Sequence, residues 1–330
     1  MASMKDVAKL AGVSVSTVSR VISGAMKVEE PTKKKVVEAI RKVDYKPNLM
    51  AQGLRIKKGN MIGFIVPEIS HPSFVNFINY AEKYASHKSL SLIVCNTHND
   101  PKKAAEAFDN LLRRNINGII LSRVSDESQV LNFISKTDTP VIIIDRALNH
   151  ENLPNLILDN YKAGKIAAEH FLRAGHRHIA CVTGSQKILL VRERLNGFRD
   201  TLQENGIVLE DNHVFEGAFT FETGVKAVHL FEELNSDVDA VWAQSDIIAA
   251  GLIASYQRIG RHIPEDVAII GMDDISLSTM IYPTITSIKQ PYEEMSRKAV
   301  EIIDTLADGG SLDRSHFVFE PELIVRESAP

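Results

Sequence analysis

Beyond residue 60 the chain alternates between two hydrophobic patterns. Short runs that are apolar at odd and even positions alike have the pattern of strands covered on both faces; they fall at 61–67, 90–96, 118–122, 140–145, 178–184, 240–243, 267–272 and 286–289. Longer stretches at 73–87, 100–113, 160–174, 194–204, 245–260 and 290–308 place apolar residues three and four apart, the period of a helix resting on one side. Strand, helix, strand in this rhythm predicts an α/β fold of doubly wound parallel sheets. So many strands overfill one compact sheet, so two lobes are expected, with a boundary near 159–161.

The first 45 residues read differently. Gly12 separates a short helix containing Ala8 from a second helix whose Val18, Val21 and Ile22 share one face. A small residue at Ala8 lets the two helices approach, and Gly12 accepts the positive φ of the turn. Ser14 is placed to cap the second helix, with Thr17 close to the same cap. The other side of that helix carries Ser16, Arg20 and Ser23, and Val15 and Thr17 are exposed in its first turn. An apolar back, short polar side chains at the N-terminal turn and one guanidinium with reach are what a helix needs to read base edges in the major groove of DNA. A third helix bearing Lys33, Lys34, Lys35, Arg41 and Lys42 completes a helix-turn-helix head and offers cations to phosphates.

Charge divides the chain at the same place. Residues 1–60 hold 13 Lys and Arg against 5 Asp and Glu, a net of +8; the whole chain is −4, which leaves −12 on the remainder. A cationic head on an acidic body fits a polyanion binder joined to a second function. No run of 18 or more apolar residues predicts a membrane span, and the N-terminus lacks a leader pattern, so a cytoplasmic protein is expected. Cys95 and Cys181 lie in apolar strand-like runs and read as buried, reduced thiols. Nucleophile elbows, phosphate-binding loops, zinc-hydrolase and dithiol motifs are absent, so no enzyme activity, no catalytic residues, no metal and no cofactor are expected.

In open parallel sheets a ligand sits beyond the carboxyl ends of the strands. Polar and aromatic residues gather there: Phe74 after the first strand, then Asp145 with Arg146, Ser245 with Asp246, Asp273 with Asp274, and Gln290, together with Arg194 and Phe219. Carboxylates, guanidinium groups and phenyl faces in combination suit a polyhydroxylated ring.

Seven segments carry more specific information: AxxAGVSxxTVSRV at 8–21, DYKPNxxAxxLR at 44–55, PVIIIDR at 140–146, RLNGF at 194–198, IIGMDD at 269–274, SIKQP at 287–291, and the closing ELIVRES. With them the chain resembles the lactose/galactose-repressor family of bacterial transcription factors over essentially its whole length. The resemblance implies a DNA-binding head at 1–47, a hinge helix and linker at 48–60, and a two-lobed core like a periplasmic sugar-binding protein. Its N-lobe would comprise 61–160 with 291–319, and its C-lobe 161–290 with 320–330. It also implies base reading by Val15, Ser16 and Arg20 and phosphate contacts from Thr17, Ser19 and Ser23. Asn48 opens the hinge and joins the DNA-contacting set, and Leu54 falls on the leucine that wedges into the minor groove. A hinge of about two turns is too short to be helical alone, so it is expected to fold when two copies pair on DNA.

For the core, the resemblance places Phe74, Asp145, Arg194, Phe219, Asp273 and Gln290 at effector contacts. Arg146 matches the arginine that accompanies the acid in ribose-type binders, and Ser245 stands where sugar-binding members often have asparagine. Ser73 replaces the first of two frequent aromatics. Ile188 and Leu190 stand where the purine-responsive member has an arginine and a threonine, which argues against a purine. The implied function is a homodimeric repressor of near-palindromic operator DNA, modulated by a small sugar or sugar derivative between the lobes. No tetramer built by a C-terminal tail is expected.

Overall fold

In the computed structural model, which describes residues 2–23, 28–45, 59–122, 131–132, 134–145, 153–234 and 237–330, the chain forms two units, Met1–Gly59 and Asn60–Pro330. The first holds α1 (Met4–Ala11), α2 (Val15–Ser23) and α3 (Glu30–Lys42). Ser3 donates through both its N–H and its hydroxyl to Asp6 Oδ2, at 2.8 and 2.7 Å, which fixes the start of α1. Gly12 ends that helix at φ +67°, with its N–H returning to the Ala8 carbonyl. Ser14 Oγ accepts the Thr17 N–H at 3.1 Å and so caps α2. Val7, Ala8, Val18, Val36 and Ala39 form the buried centre, with Val21 and Ile22 packed against it.

The second unit begins with β1 (Met61–Val66), α4 (Pro72–His87), β2 (Ser91–Asn96), α5 (Pro101–Leu112), β3 (Gly118–Ser122), β4 (Val141–Ile144) and β5 (Asn155–Leu158). It continues through α6 (Asn160–Ala174), β6 (Ile179–Thr183), α7 (Leu189–Glu204), β7 (Val214–Glu216), α8 (Phe221–Glu233), β8 (Ala240–Ala243), α9 (Asp246–Arg258), β9 (Ala268–Asp273) and β10 (Thr286–Lys289). It closes with α10 (Tyr292–Ala307), β11 (His316–Phe319) and β12 (Glu322–Ile324).

These strands build two sheets. One runs β11-β5-β4-β3-β1-β2 and is parallel throughout; the other runs β12-β10-β9-β8-β6-β7 and is parallel except for β12 against β10. Both faces of each are covered, as the runs without alternation demand. Ile62, Phe64 and Val66 of β1 pack with Phe77 and Met295 on one side, while Ile65 packs with Phe108 and Leu111 on the other. In the second sheet Cys181 and Trp242 share one core, and Val182 and Val241 the opposite one. Cys95 and Cys181 are free, and burial pushes both thiols up.

The chain passes from one sheet to the other after β5, after β10 and after β11. Two of these passages are tied together, since the Asp159 N–H donates to the Phe319 carbonyl at 2.8 Å. In each lobe the strand order reverses beside the first strand, which opens a crevice at the carboxyl edge. The segments expected from sequence omit β5, β7, β11 and β12, each of three or four residues. Strands of three residues, β7 and β12, carry no period of their own and exist through pairing with a neighbour. They also omit α8, whose FETG start interrupts the apolar repeat, and α7 begins five residues earlier than the 194 expected. No helix of the described residues is long and apolar enough to cross a membrane.

Candidate functional site

The carboxyl ends of the strands converge on a cavity of about 80 Å³, several times the space one water needs. Phe74, at the start of α4, and Asp145, just past β4, reach it from the first lobe. Arg194 of α7, Phe219, Asp273 at the tip of β9 and Gln290 after β10 complete the set expected from sequence. His71, Ser73, Ile188, Leu190 and Gln244 also line it. A larger open groove of about 640 Å³ runs past Tyr80, Tyr84, Lys289, Arg297 and Arg326. The smaller cavity is the better candidate, because polar groups from both lobes converge in it without complete pairing.

Asp273 is the junction of the cavity. Its Oδ1 accepts from Gln290 Nε2 at 2.6 Å and its Oδ2 from Ser73 Oγ at 2.9 Å, so one carboxylate bridges the two lobes through buried bonds. Asp145 and Asp273 both occupy left-handed backbone, at φ +68° and +102°. Non-glycine residues held there cost about 1–3 kcal/mol each and mark positions where side-chain aim outweighs backbone comfort. Arg194 is 4% exposed and its Nε donates to Asn160 Oδ1 at 2.8 Å, which fixes the direction of the guanidinium. The His71 ring lies 5.6 Å from that of Phe74 and meets Phe219 edge-on at 6.2 Å, so aromatic surface spans the lobes.

Ser245 departs from expectation and is corrected: it does not line the cavity. Its hydroxyl turns back to accept the Ile247 N–H at 3.3 Å as the N-cap of α9, and its neighbour Gln244 faces the cavity instead. The sequence signal for Gln244 is a polar residue ending an apolar strand, in AVWAQS. Asp274 is also turned away, its Oδ1 accepting from Arg326 Nη2 at 2.6 Å. Arg146 lies outside the described residues.

Behind the cavity Asp246 is fully buried and takes three donors: Ser287 Oγ at 2.6 Å, Ser278 Oγ at 2.7 Å and the Ile275 N–H at 2.9 Å. Burial first, and the charge of Asp273 second, push its carboxyl up to about 7. In the unfolded chain the group titrates near 3.8, so between those values the folded state holds a proton that the unfolded state has lost. Stability is therefore fully present below pH 3.8 and falls by roughly 1.4 kcal/mol per pH unit up to about pH 7, about 4 kcal/mol in the limit. Asp246→Asn keeps the Ile275 and Ser278 bonds on its carbonyl and turns its amide N–H₂ to Ser287. The stability difference between variant and wild type, from urea titrations, should grow from pH 4 to 7 and level off above; a constant difference would refute the linkage.

In the head, α2 presents Val15, Ser16 and Arg20 as exposed side chains, with Thr17 and Ser19 half-buried beside them and Ser23 as its last residue. Lys33, Lys34, Lys35, Arg41 and Lys42 are all exposed on α3. Asn48 and Leu54 lie outside the described residues. Among the described residues no group of three or more His, Cys, Asp or Glu could hold a metal ion.

Two family models match the chain. Residues 3–48 match the bacterial regulatory proteins of the lacI family, and residues 59–308 the periplasmic binding proteins and sugar binding domain of the LacI family. The chain is 32% identical to the HTH-type transcriptional repressor PurR of Photobacterium profundum, over 99% of this chain and 98% of that protein. It is 30% identical to the ribose operon repressor of Haemophilus influenzae, over 99% of this chain and 98% of that protein. Its structure is similar to that of a lac repressor dimer bound to operator and the anti-inducer ONPF, with a TM-score of 0.88, 24% identity and 99% of each chain covered.

Proposed function

The chain belongs to the LacI family of bacterial regulatory proteins, and from that premise we propose that it is a homodimeric repressor whose operator affinity is set by a small sugar or sugar derivative held between the core lobes. Residues 1–47 bind DNA, 48–60 form the hinge, and the lobes comprise 61–160 with 291–319 and 161–290 with 320–330. Each head lays α2 in the major groove of one half-site, with Val15, Ser16 and Arg20 toward bases and Thr17, Ser19 and Ser23 toward phosphates. Asn48 and Leu54 act from the paired hinges in the minor groove. Met280 and Tyr282, 76% and 79% exposed, offer apolar surface on the C-lobe for pairing. The regulator acts where the chromosome is, in the cytoplasm, and catalyses no reaction.

One observation carries the effector reading: Phe74, Asp145, Arg194, Phe219, Asp273 and Gln290, drawn from both lobes, line a single cavity. The family resemblance adds Arg146 to the effector contacts, and Gln244 lines the cavity where Ser245 was expected. Carboxylates accept hydroxyl protons, Arg194 donates, and Phe74 and Phe219 cover C–H faces. The effector changes operator affinity only through a difference in its affinity for two lobe arrangements, typically worth about 1–3 kcal/mol. The Asp273 bridge between Ser73 and Gln290 is what a ligand hydroxyl would join or displace.

A thermal-shift screen of sugars and sugar derivatives, with and without operator-like DNA, identifies the effector. Asp273→Asn keeps a carbonyl for Gln290 and an N–H for Ser73, so it folds. It removes a charged acceptor worth about 1.5–3 kcal/mol, which lowers effector affinity by roughly tenfold to more than a hundredfold. Operator binding without effector should stay at the wild-type level. Unchanged effector affinity in the titration would remove Asp273 from the site.

A further inference from the structure

Hydrogen-bond accounting narrows the ligand of the cleft, given the reading of that cleft as the effector site. Two amide oxygens in its wall, Gln244 Oε1 and Gln290 Oε1, have no partner, on side chains only 0% and 3% exposed. Unpaired buried acceptors are costly, and both oxygens are covered by their neighbours, so a ligand that shifts those neighbours gains two acceptors waiting for a donor. The orientation of each amide follows from what its nitrogen meets. Gln244 Nε2 donates to the Val191 carbonyl at 3.4 Å and Gln290 Nε2 to Asp273 Oδ1 at 2.6 Å. Turning either amide over would set oxygen against oxygen, so both vacant positions are acceptors.

The carboxylates of Asp145 and Asp273 add further acceptor capacity. Beyond the two amide nitrogens already placed, donors among the described lining residues come from three side chains, the His71 ring N–H, the Ser73 hydroxyl and the Arg194 guanidinium. The Ser73 hydroxyl is committed to Asp273, and Arg194 has its Nε on Asn160, with its terminal nitrogens left for a ligand. A molecule that satisfies this wall must bring donors of its own. A phosphate would meet one guanidinium, Arg194, against the two carboxylates of Asp145 and Asp273, so its lost hydration is repaid only in part. Hydroxyl groups bring donors and no charge.

The remaining wall is apolar. Ile188 and Leu190, at the start of α7, are half-buried and face the cavity with no polar atom. A ligand hydroxyl against them would be desolvated without a partner. The edge of the ring that meets α7 therefore carries no hydroxyl.

We infer that the ligand is an uncharged, unphosphorylated monosaccharide with a methyl or unsubstituted methylene edge, which lies against Ile188 and Leu190 while its hydroxyls donate to Gln244 and Gln290. The test is calorimetric titration of the full-length protein, without DNA, with matched sets. One set is 6-deoxy-D-glucose, D-glucose and glucose 6-phosphate; a second is 2-deoxy-D-ribose, D-ribose and ribose 5-phosphate. L-Fucose, L-rhamnose and D-fucose with their hydroxylated parents, and hypoxanthine, complete the panel. A deoxy sugar should bind about ten- to a hundredfold more tightly than its parent, and no phosphate ester should compete. Gln244→Leu should weaken it about tenfold or more, and Leu190→Thr should move preference toward the hydroxylated parent, a change of order that mere loss of packing does not produce. A phosphate ester or hypoxanthine binding more tightly than every neutral sugar overturns the inference, and so does a panel in which no neutral sugar binds. A sugar that binds as described but leaves operator affinity unchanged counts instead against the regulatory reading.

Discussion

Gly164→Ala should destabilise the C-lobe by about 3 kcal/mol and weaken effector binding in the same protein. Helices α6 and α7 cross where Gly164 and Gly197 face each other's backbone. A Cβ on Gly164 would overlap the Arg194 carbonyl and come within 2.6 Å of the Phe198 nitrogen, while one on Gly197 would overlap the Tyr161 carbonyl. Replacing glycine by alanine inside a helix favours the helix by about 1 kcal/mol. Overpacking costs about 1–3 kcal/mol, and more where no flexible side chain can yield; here both obstacles are main chain, so overpacking wins. Relief requires the two helices to move apart, and α7 carries Leu190 and Arg194. The neighbouring pair provides a comparison. Gly224 and Gly251 make the same kind of crossing between α8 and α9, with a Cβ on Gly224 overlapping the Ile248 carbonyl. Gly224→Ala should therefore cost comparable stability in urea titration, while any change in effector affinity, measured on the folded fraction, reports on Phe219 and Gln244, which lead into α8 and α9. Unchanged effector affinity in folded Gly164→Ala, or a Gly164→Ala protein as stable as wild type, would show that the crossing does not position Arg194.

The same glycines show where sequence reading stops. Taken one at a time, Gly164 and Gly197 lower helix propensity and nothing more; their meaning lies in a pairing that only the packed lobe reveals. Strands β1, β3 and β8 were legible because burial on both faces removes polar residues from the run, whereas β7 and β12 have three residues each and owe their existence to partners. The head was legible in detail, since Gly12, Ser14 and the Val18 face each answer a local requirement of helix ending, capping or packing. In the cleft, residues at strand ends could be named by position and by family resemblance, but side-chain direction could not. Ser245 and Gln244 are adjacent, and which one enters the cavity was decided by the hydroxyl's preference for capping α9. The bridge from Ser73 to Asp273 spans 200 positions of sequence and has no local signature.

Arg20→Ala should lower affinity for the cognate operator by about 10²–10⁴-fold while changing affinity for random DNA far less. Arg20 is exposed on α2, on the side away from buried Val18, so truncation leaves the head's core intact. A guanidinium paired with a guanine edge discriminates by about 1–3 kcal/mol, and a symmetric dimer makes that contact twice, so the effect on a full operator is squared. Random DNA offers no matched base edge, and there the variant loses only one cation per head from a set that still includes Lys33, Lys34, Lys35, Arg41 and Lys42. Lys34→Ala separates the two kinds of contact. If it meets a phosphate, binding weakens about equally on operator and random duplex, and the slope of log affinity against log salt falls by about 1 per head. Titrations of both variants at several salt concentrations distinguish the cases. Parallel losses for Arg20→Ala on both duplexes would mean that its charge, rather than its reach to a base, is what the head uses.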